Sequence, residues 1–315
     1  MTPFPIGSRL ACLRLTTSVL RPVAVSLALL CTASLATAQQ PLKVYISADM
    51  EGIAGVVSPS QLGPTGFEYG RFREFMTAET LAAIQGARDA GATQIVVSDS
   101  HGNGENLLIE RFPADVTIIR SWPRPLMMME GIDSSFHAAI LIGHHSATTN
   151  PRGVRAHTMS SANLAGIFLN ETSMPESGIS AAIAGSFGVP VVMISGDDVA
   201  VEEARELIGD IEGAVVKRAI GFHSAATMTP EASQALIRRT VAAALARRAS
   251  MRPHVVQTPI NLDITFKNYR PAEILAYLPN VTRRDAHTVR FVGRDMVEVS
   301  RFIEFVATYE PGLTP

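Results

Sequence analysis

Leu42-Lys43-Val44-Tyr45-Ile46-Ser47-Ala48-Asp49-Met50-Glu51-Gly52 opens as an apolar run and ends on two acids and a glycine. Leu42 to Ala48 reads as a short buried strand with Val44, Tyr45 and Ile46 at its centre. In an extended chain residues i and i+2 point the same way, so Asp49 and Glu51 project together from the strand's carboxyl end. That edge is where α/β proteins bind ligands. Two adjacent carboxylates repel unless a cation or a shared proton neutralises them. A divalent metal meets this requirement, and a solvated acidic loop is the alternative.

Outward from this strand, a loop through Gly66 leads to a predicted helix over Glu68–Ala90, with Met76, Leu81 and Ile84 among its apolar positions and Gly91 as terminator. Further strands are predicted at Gln94–Ser98, Ala138–Gly143 and Val189–Ser195, with a small-residue helix over Ser180–Phe187. Strands alternating with helices point to an α/β layer, a largely parallel sheet flanked by helices. The tail differs. Thr229-Pro230-Glu231 caps a helix running to about Ala249. Pro259–Phe266 and Val289–Val292 read as strands and Asp295–Ala307 as a last helix. The expected division is a catalytic α/β domain over 39–215 and a smaller C-terminal α+β part over 216–315.

Residues 1–38 read as an export signal. Arg9, Arg14 and Arg21 form a basic n-region, Val23–Ala36 is almost wholly apolar, and Ala36-Thr37-Ala38 is a small-x-small cleavage pattern. The apolar run is shorter than the ~20 residues of a spanning helix. The expected location is periplasmic or secreted, with no membrane attachment after cleavage. Removal of three Arg and no acids takes the net charge from −2 to −2 − 3 = −5. Such a balance implies no nucleic-acid partner. Both cysteines, Cys12 and Cys31, fall in this leader, so any metal site in the mature chain uses His, Asp and Glu.

Two further strand ends carry chemistry. Ser98-Asp99-Ser100-His101-Gly102 offers His101 as a metal ligand with Asp99 behind it, or is simply a turn. Gly143-His144-His145-Ser146 places adjacent histidines on opposite faces, so one of them joins the carboxylates. His157 follows twelve residues after His145. Ser173-Met174-Pro175-Glu176 matches a capping box, yet Glu176 at a helix start can also turn into a cleft. Asp197 and Asp198 are read as caps of the next helix. The mature chain lacks a P-loop, a dinucleotide G-x-G-x-x-G, H-E-x-x-H and G-x-S-x-G. What remains, acids and histidines on several strand ends, suits one or two metals, foremost zinc.

In their order these segments resemble the zinc D-aminopeptidase family. The likeness rests on S-A-D-M-E-G-I-A-G from Ser47, S-D-S-H from Ser98, M-M-E-G-I-D from Met128, L-I-G-H-H-S-A from Leu141 and G-V-R-A-H-T-M from Gly153. It continues through E-S-G-I-S-A from Glu176, V-P-V-V-M-I-S-G-D-D from Val189 and F-K-N-Y-R-P-A-E from Phe266. The resemblance implies two zinc ions per subunit, with Asp49 bridging, Glu51 and His101 on one ion and His145 and Glu176 on the other. It implies His157 as the catalytic histidine, a short peptide with an N-terminal D-residue as substrate, and a ring-shaped homo-oligomer, a decamer in the type case. It selects Glu176 as ligand over cap and His145 over His144. A metal-dependent phosphoesterase and a periplasmic peptide-binding protein are the alternative functions.

Overall fold

The computed structural model describes residues 41–309; the expected leader lies outside them. Twelve strands run in chain order: β1 (Leu42–Ala48), β2 (Ala92–Asp99), β3 (Val116–Ile119), β4 (Ala138–His144), β5 (Leu164–Leu169), β6 (Thr172–Ser173), β7 (Val191–Asp197), β8 (Glu212–Gly221), β9 (Ser224–Thr227), β10 (Ile260–Phe266), β11 (Val281–Arg283) and β12 (Thr288–Gly293). Six α-helices lie between and after them: α1 (Tyr69–Asp89), α2 (Glu176–Ser186), α3 (Asp198–Ile208), α4 (Pro230–Ala246), α5 (Tyr269–Leu275) and α6 (Met296–Thr308).

The strands form two sheets. A seven-stranded sheet has the order β3-β2-β1-β4-β7-β8-β9 and is parallel except at its β8–β9 edge. A five-stranded antiparallel sheet has the order β11-β12-β10-β5-β6. β1 is central and buried on both faces, as its continuous apolar run requires. Val44 and Ile46 face a core shared with α1 and α4, whereas Tyr45 faces a second core shared with α2, α6 and the antiparallel sheet. Full burial of each such aliphatic side chain contributes roughly 1.5–3 kcal/mol. The Tyr45 hydroxyl, carried into this core, donates to Glu130 O at 2.6 Å.

The predicted strands and helices are present with ends shifted by a few residues. The division expected near residue 215 does not follow the packing. Residue 215 lies inside β8, which continues the parallel sheet, and β5 and β6 from the earlier part pair into the antiparallel sheet with β10. The described residues form one compact unit. Chain order misleads here because the β5–β6 hairpin crosses to the second sheet before the chain returns through α2 to β7.

The strand order reverses between β1 and β4, since the chain leaves β1 toward β2 on one side while β4 pairs on the other. The carboxyl ends of β1, β2 and β4 therefore meet at a topological switch point, the crevice where open α/β sheets hold ligands.

Candidate metal centre

The chain leaves β1 at Ala48 and turns at once, so Asp49 to Gly52 is not extended. Asp49 and Glu51 converge because the turn is pinned, not because a strand alternates. Asp49 N donates to Ile142 O at 2.8 Å and Gly52 N to Gly143 O at 2.6 Å, tying the turn to the end of β4. A Cβ on Gly52 would lie 2.2 Å from His144 O, so only glycine allows this approach.

Beneath the turn, Lys217 is 2% exposed. Its ammonium donates to the carbonyls of Glu51, Ile53 and Val56 at 2.5, 3.2 and 2.7 Å. Buried Glu79 accepts Ala54 N in the same loop at 3.1 Å. Burial lowers the Lys217 pKa to about 8 and raises that of Glu79 to about 7. A single buried lysine thus gathers three carbonyls of the turn, of which Ile53 O also accepts Val56 N at 3.2 Å.

Two buried groups of ligand-type side chains lie side by side. Asp49, Glu51 and His101 offer donor atoms within 4.8 Å of one another, and so do His145, His157 and Glu176. His101 Nδ1 is 3.2 Å from Asp49 Oδ1 and 2.8 Å from Glu51 Oε2. His145 Nε2 is 3.4 Å from both Asp49 Oδ2 and Glu176 Oε2. Asp49 thus presents one oxygen to each group.

Backbone carbonyls orient both rings. His101 Nε2 lies 2.6 Å from Leu62 O and His145 Nδ1 3.1 Å from Ser146 O. If these nitrogens carry the ring protons, the opposite nitrogens of the neutral imidazoles direct lone pairs at carboxylate oxygens. Lone pairs facing anions at these distances repel unless a proton or a metal lies between them. Two carboxylates whose oxygens lie within 4.8 Å of one another add roughly 3.5 kcal/mol or more of repulsion at an effective dielectric near 20. Asp49 Oδ2, Glu51 Oε2 and His145 Nε2 are buried without a hydrogen-bond partner among the described residues. The donor set therefore fits divalent cations of the zinc type, bound by neutral imidazole and carboxylate.

Without such a cation the protons redistribute. Burial and the Glu51 charge push Asp49 up to about 8. Burial opposes charge on His145, but the Glu176 carboxylate raises it to about 10. Burial likewise opposes charge on His101, and Glu51 holds it well above its usual value. Glu176, despite burial, is drawn down to about 2 by His145.

Glu176 does not form the capping box its sequence allows. Pro175 is the N-cap of α2 and makes no side-chain bond, and Ser173 Oγ instead meets Thr149 Oγ1 at 2.6 Å. Glu176, first residue of the helix, turns inward and accepts Met159 N at 2.7 Å. His144 points away into the interior. Burial lowers its pKa to about 4, and neither ring nitrogen has a partner. Asp197 caps α3 through Ala200 N, as expected, and also accepts Val154 N at 3.2 Å. Asp99 does not touch the His101 ring. It holds Asn106, whose side chain in turn donates to His101 O at 2.6 Å.

His157 stacks on His145 with ring centroids 4.0 Å apart and a 6° tilt. Its Nδ1 lies 2.8 Å from Arg155 O, and its Nε2 is 3.7 Å from Glu176 Oε1. A cavity of about 190 Å³ opens over these groups, lined by Asp49, Glu51, His157 and Glu176 and by the side chains of Trp122 and Glu304. Lys217, Trp122 and Glu304 were not singled out in the sequence. For Lys217 a signal exists, a lone lysine ending the apolar run Ala214-Val215-Val216.

Known proteins similar to this chain include a zinc-dependent peptidase. A curated D-aminopeptidase of Bacillus subtilis is 33% identical over 258 residues, which is 82% of this chain and 93% of that protein. The solved structure of the Zn-dependent D-aminopeptidase DppA from Bacillus subtilis, described as a self-compartmentalizing protease, superposes with a TM-score of 0.81. It is 31% identical over 86% of this chain and all of that one. The phosphoesterase and peptide-binding readings find no support in these matches. The D-aminopeptidase family model spans residues 42–305, covering the whole site from Asp49 to Glu304, and the chain accordingly belongs to the D-aminopeptidase family.

Proposed function

We propose that this protein is an exported zinc aminopeptidase that removes N-terminal D-residues from short peptides, with two ions per subunit. The observation that carries the reading is the meeting of two ligand groups around Asp49, each with a histidine whose outer nitrogen is held by a carbonyl. In this reading Asp49 would serve both ions, Glu51 and His101 would help hold one, and His145 and Glu176 the other. When bound, zinc supplies Lewis-acid activation of water and of the scissile carbonyl.

The chain's own groups supply the rest. With Nδ1 held by Arg155 O, His157 presents Nε2 to the cavity, placed to accept a proton from the attacking water and return it to the leaving amine. Its stacking on His145 fixes the ring's orientation. Trp122 donates Nε1–H to Gly102 O at 2.8 Å, which locks an apolar wall for the substrate's side chain.

Ring assembly is part of the proposal. The self-compartmentalizing relative supports it, and so do apolar side chains left open on the β8–β9 edge: Ile220, Phe222 and Met228 are 71%, 42% and 38% exposed. Export to the periplasm is proposed from the leader alone.

The test is elemental analysis of purified protein followed by hydrolysis of D-alanyl and L-alanyl amides. Two zinc ions per chain and a preference for the D-substrate are expected. Metal-free protein with full activity, or equal rates on both stereoisomers, would defeat the reading.

A further inference from the structure

Glu304 is the one carboxylate in the cavity wall that neither ligand group uses. It lies on the last turns of α6 with Ala307 and Thr308, positions i, i+3 and i+4 on one helix face, and all three line the cavity that holds Asp49, Glu51 and His157. Its side chain is largely buried, at 6% exposure. Oε1 accepts the backbone N–H of Arg124 at 3.0 Å. Among the described residues no basic side chain forms a salt bridge with it, although the Arg124 charge acts on it and Arg124 and Arg301 share a neighbouring cavity wall with it. The nearby Arg124 guanidinium is committed elsewhere: to Ser98 Oγ at 2.7 Å, to Asp99 O at 2.6 Å, to Ser121 O, and flat over Trp122 at 3.9 Å. Among the described residues no lysine or arginine lines this cavity. The carboxyl end of α6 adds its own partial negative charge to this wall. A buried carboxyl with no salt-bridge partner, in a cavity wall beside the ligand groups, gains from a cationic group brought into that cavity.

An exopeptidase needs an acceptor for the substrate's free amine. Four carboxylates line the cavity: Asp49, Glu51, Glu176 and Glu304. The first three are occupied as ligands in the reading above. We infer that Glu304 is a specificity-determining residue that receives an ammonium group of the peptide, an inference that rests on the aminopeptidase reading. The ammonium is either the N-terminal one or that of a basic side chain in the following residue. Both are the same chemistry and leave different kinetic traces.

The test uses full-length, zinc-loaded protein and the isosteric variant E304Q, which keeps the acceptor for Arg124 N–H. Peptides D-Ala-Lys and D-Ala-norleucine are compared, and D-alaninol, an amine with no bond to hydrolyse, is titrated calorimetrically. If Glu304 reads the N-terminus, KM rises about ten- to a hundredfold for both peptides and D-alaninol binding weakens by the same factor. If it reads the side chain, the preference for lysine over norleucine disappears and D-alaninol binding is unchanged.

Variant A307K, at an exposed position on the same face, leaves Glu304 in place and tethers a competing ammonium beside it. It should reproduce the loss even if E304Q does not fold. Unchanged KM, selectivity and D-alaninol affinity in the folded variants would overturn the inference. A wild-type protein that binds zinc and D-alaninol but cleaves no peptide would instead sink the aminopeptidase reading, and D-alaninol affinity would still decide the role of Glu304.

Discussion

The two ligand groups are built by different means. Asp49, Glu51 and His101 follow the ends of neighbouring parallel strands, β1 and β2, whose register pairs Ala48 with Asp99. Their convergence needs one sheet and one pinned turn. Only His145 in the second group leaves a strand end; Glu176 begins a helix and His157 sits in a loop. Here convergence needs the β4 end, the entry to α2 and the 146–159 loop to be placed independently. The first group is a property of a sheet edge and the second a property of the whole packing. Asp49, facing both, joins them.

The joint is where the largest effect is expected. Asp49→Ala should abolish binding of both ions and take hydrolysis to background, read by elemental analysis and kinetics together. Retention of one tightly bound ion would show that the groups are independent. His101→Ala and His145→Ala should each leave one ion, and identical metal loss in both would show that the pair fills only as a unit.

His157→Ala separates chemistry from binding within the second group. Metal content should be unchanged while kcat falls by about 10²–10⁴.

Lys217→Met sharpens the contrast from behind the first group. Three carbonyls lose their buried donor, so the turn carrying Glu51 loosens. Metal affinity should fall by about 10–100-fold, with the loss confined to the Asp49–Glu51–His101 side. Equal loss on both sides would mean that Lys217 supports the fold generally.

The smallest effect expected is on the pH dependence of the metal-free protein. His145 is raised from 6.5 to about 10 and His101 is raised as well, so the stability they add is complete below pH 6.5 and is lost as pH climbs toward 10. Asp49, raised to about 8, changes stability in the same direction as it loses its proton. The depressed carboxyl of Glu176, at about 2, contributes a constant amount across this window. The melting temperature of apoprotein should therefore fall by several degrees between pH 6.5 and 10, and the zinc-loaded protein should not follow it. A flat apoprotein profile would mean that the imidazoles are not paired with the carboxylates in solution.

Much of the first group was legible because strand ends announce themselves. An apolar run followed by acids, or by Asp-Ser-His, needs only the strand period to place its side chains near a sheet edge. Even there, the reason given for Asp49 and Glu51 was incomplete, since a turn held by Lys217 replaces the extended backbone. Glu176 was ambiguous because a capping box and an inward carboxylate have the same letters. The choice depends on whether Met159 N is within reach, a contact seventeen residues away in sequence. β8 was not read as a strand because its apolar run is broken by Lys217 and Arg218, and whether such a lysine is buried depends on what lies above it. Lys217 and Glu304 act through contacts 166 and 180 residues distant in sequence.

By itself the sequence determined the α/β class, the central strand β1, the candidate ligands and the family. The class and the strand follow from local periodicity, Asp49, Glu51 and His101 as candidates from residue types at strand ends, and the choice of His145 and Glu176 and the family from the resemblance of the ordered motifs. For Asp49 between the two groups and Glu176 as a ligand type rather than a cap, the sequence offered only the family resemblance and the tertiary structure supplied the contacts; Lys217 and Glu304 were brought to the site by the tertiary structure alone. The physical reason is that desolvation and electrostatic pairing depend on distances in space, and a chain folded across two sheets brings remote residues within a few ångströms of one another.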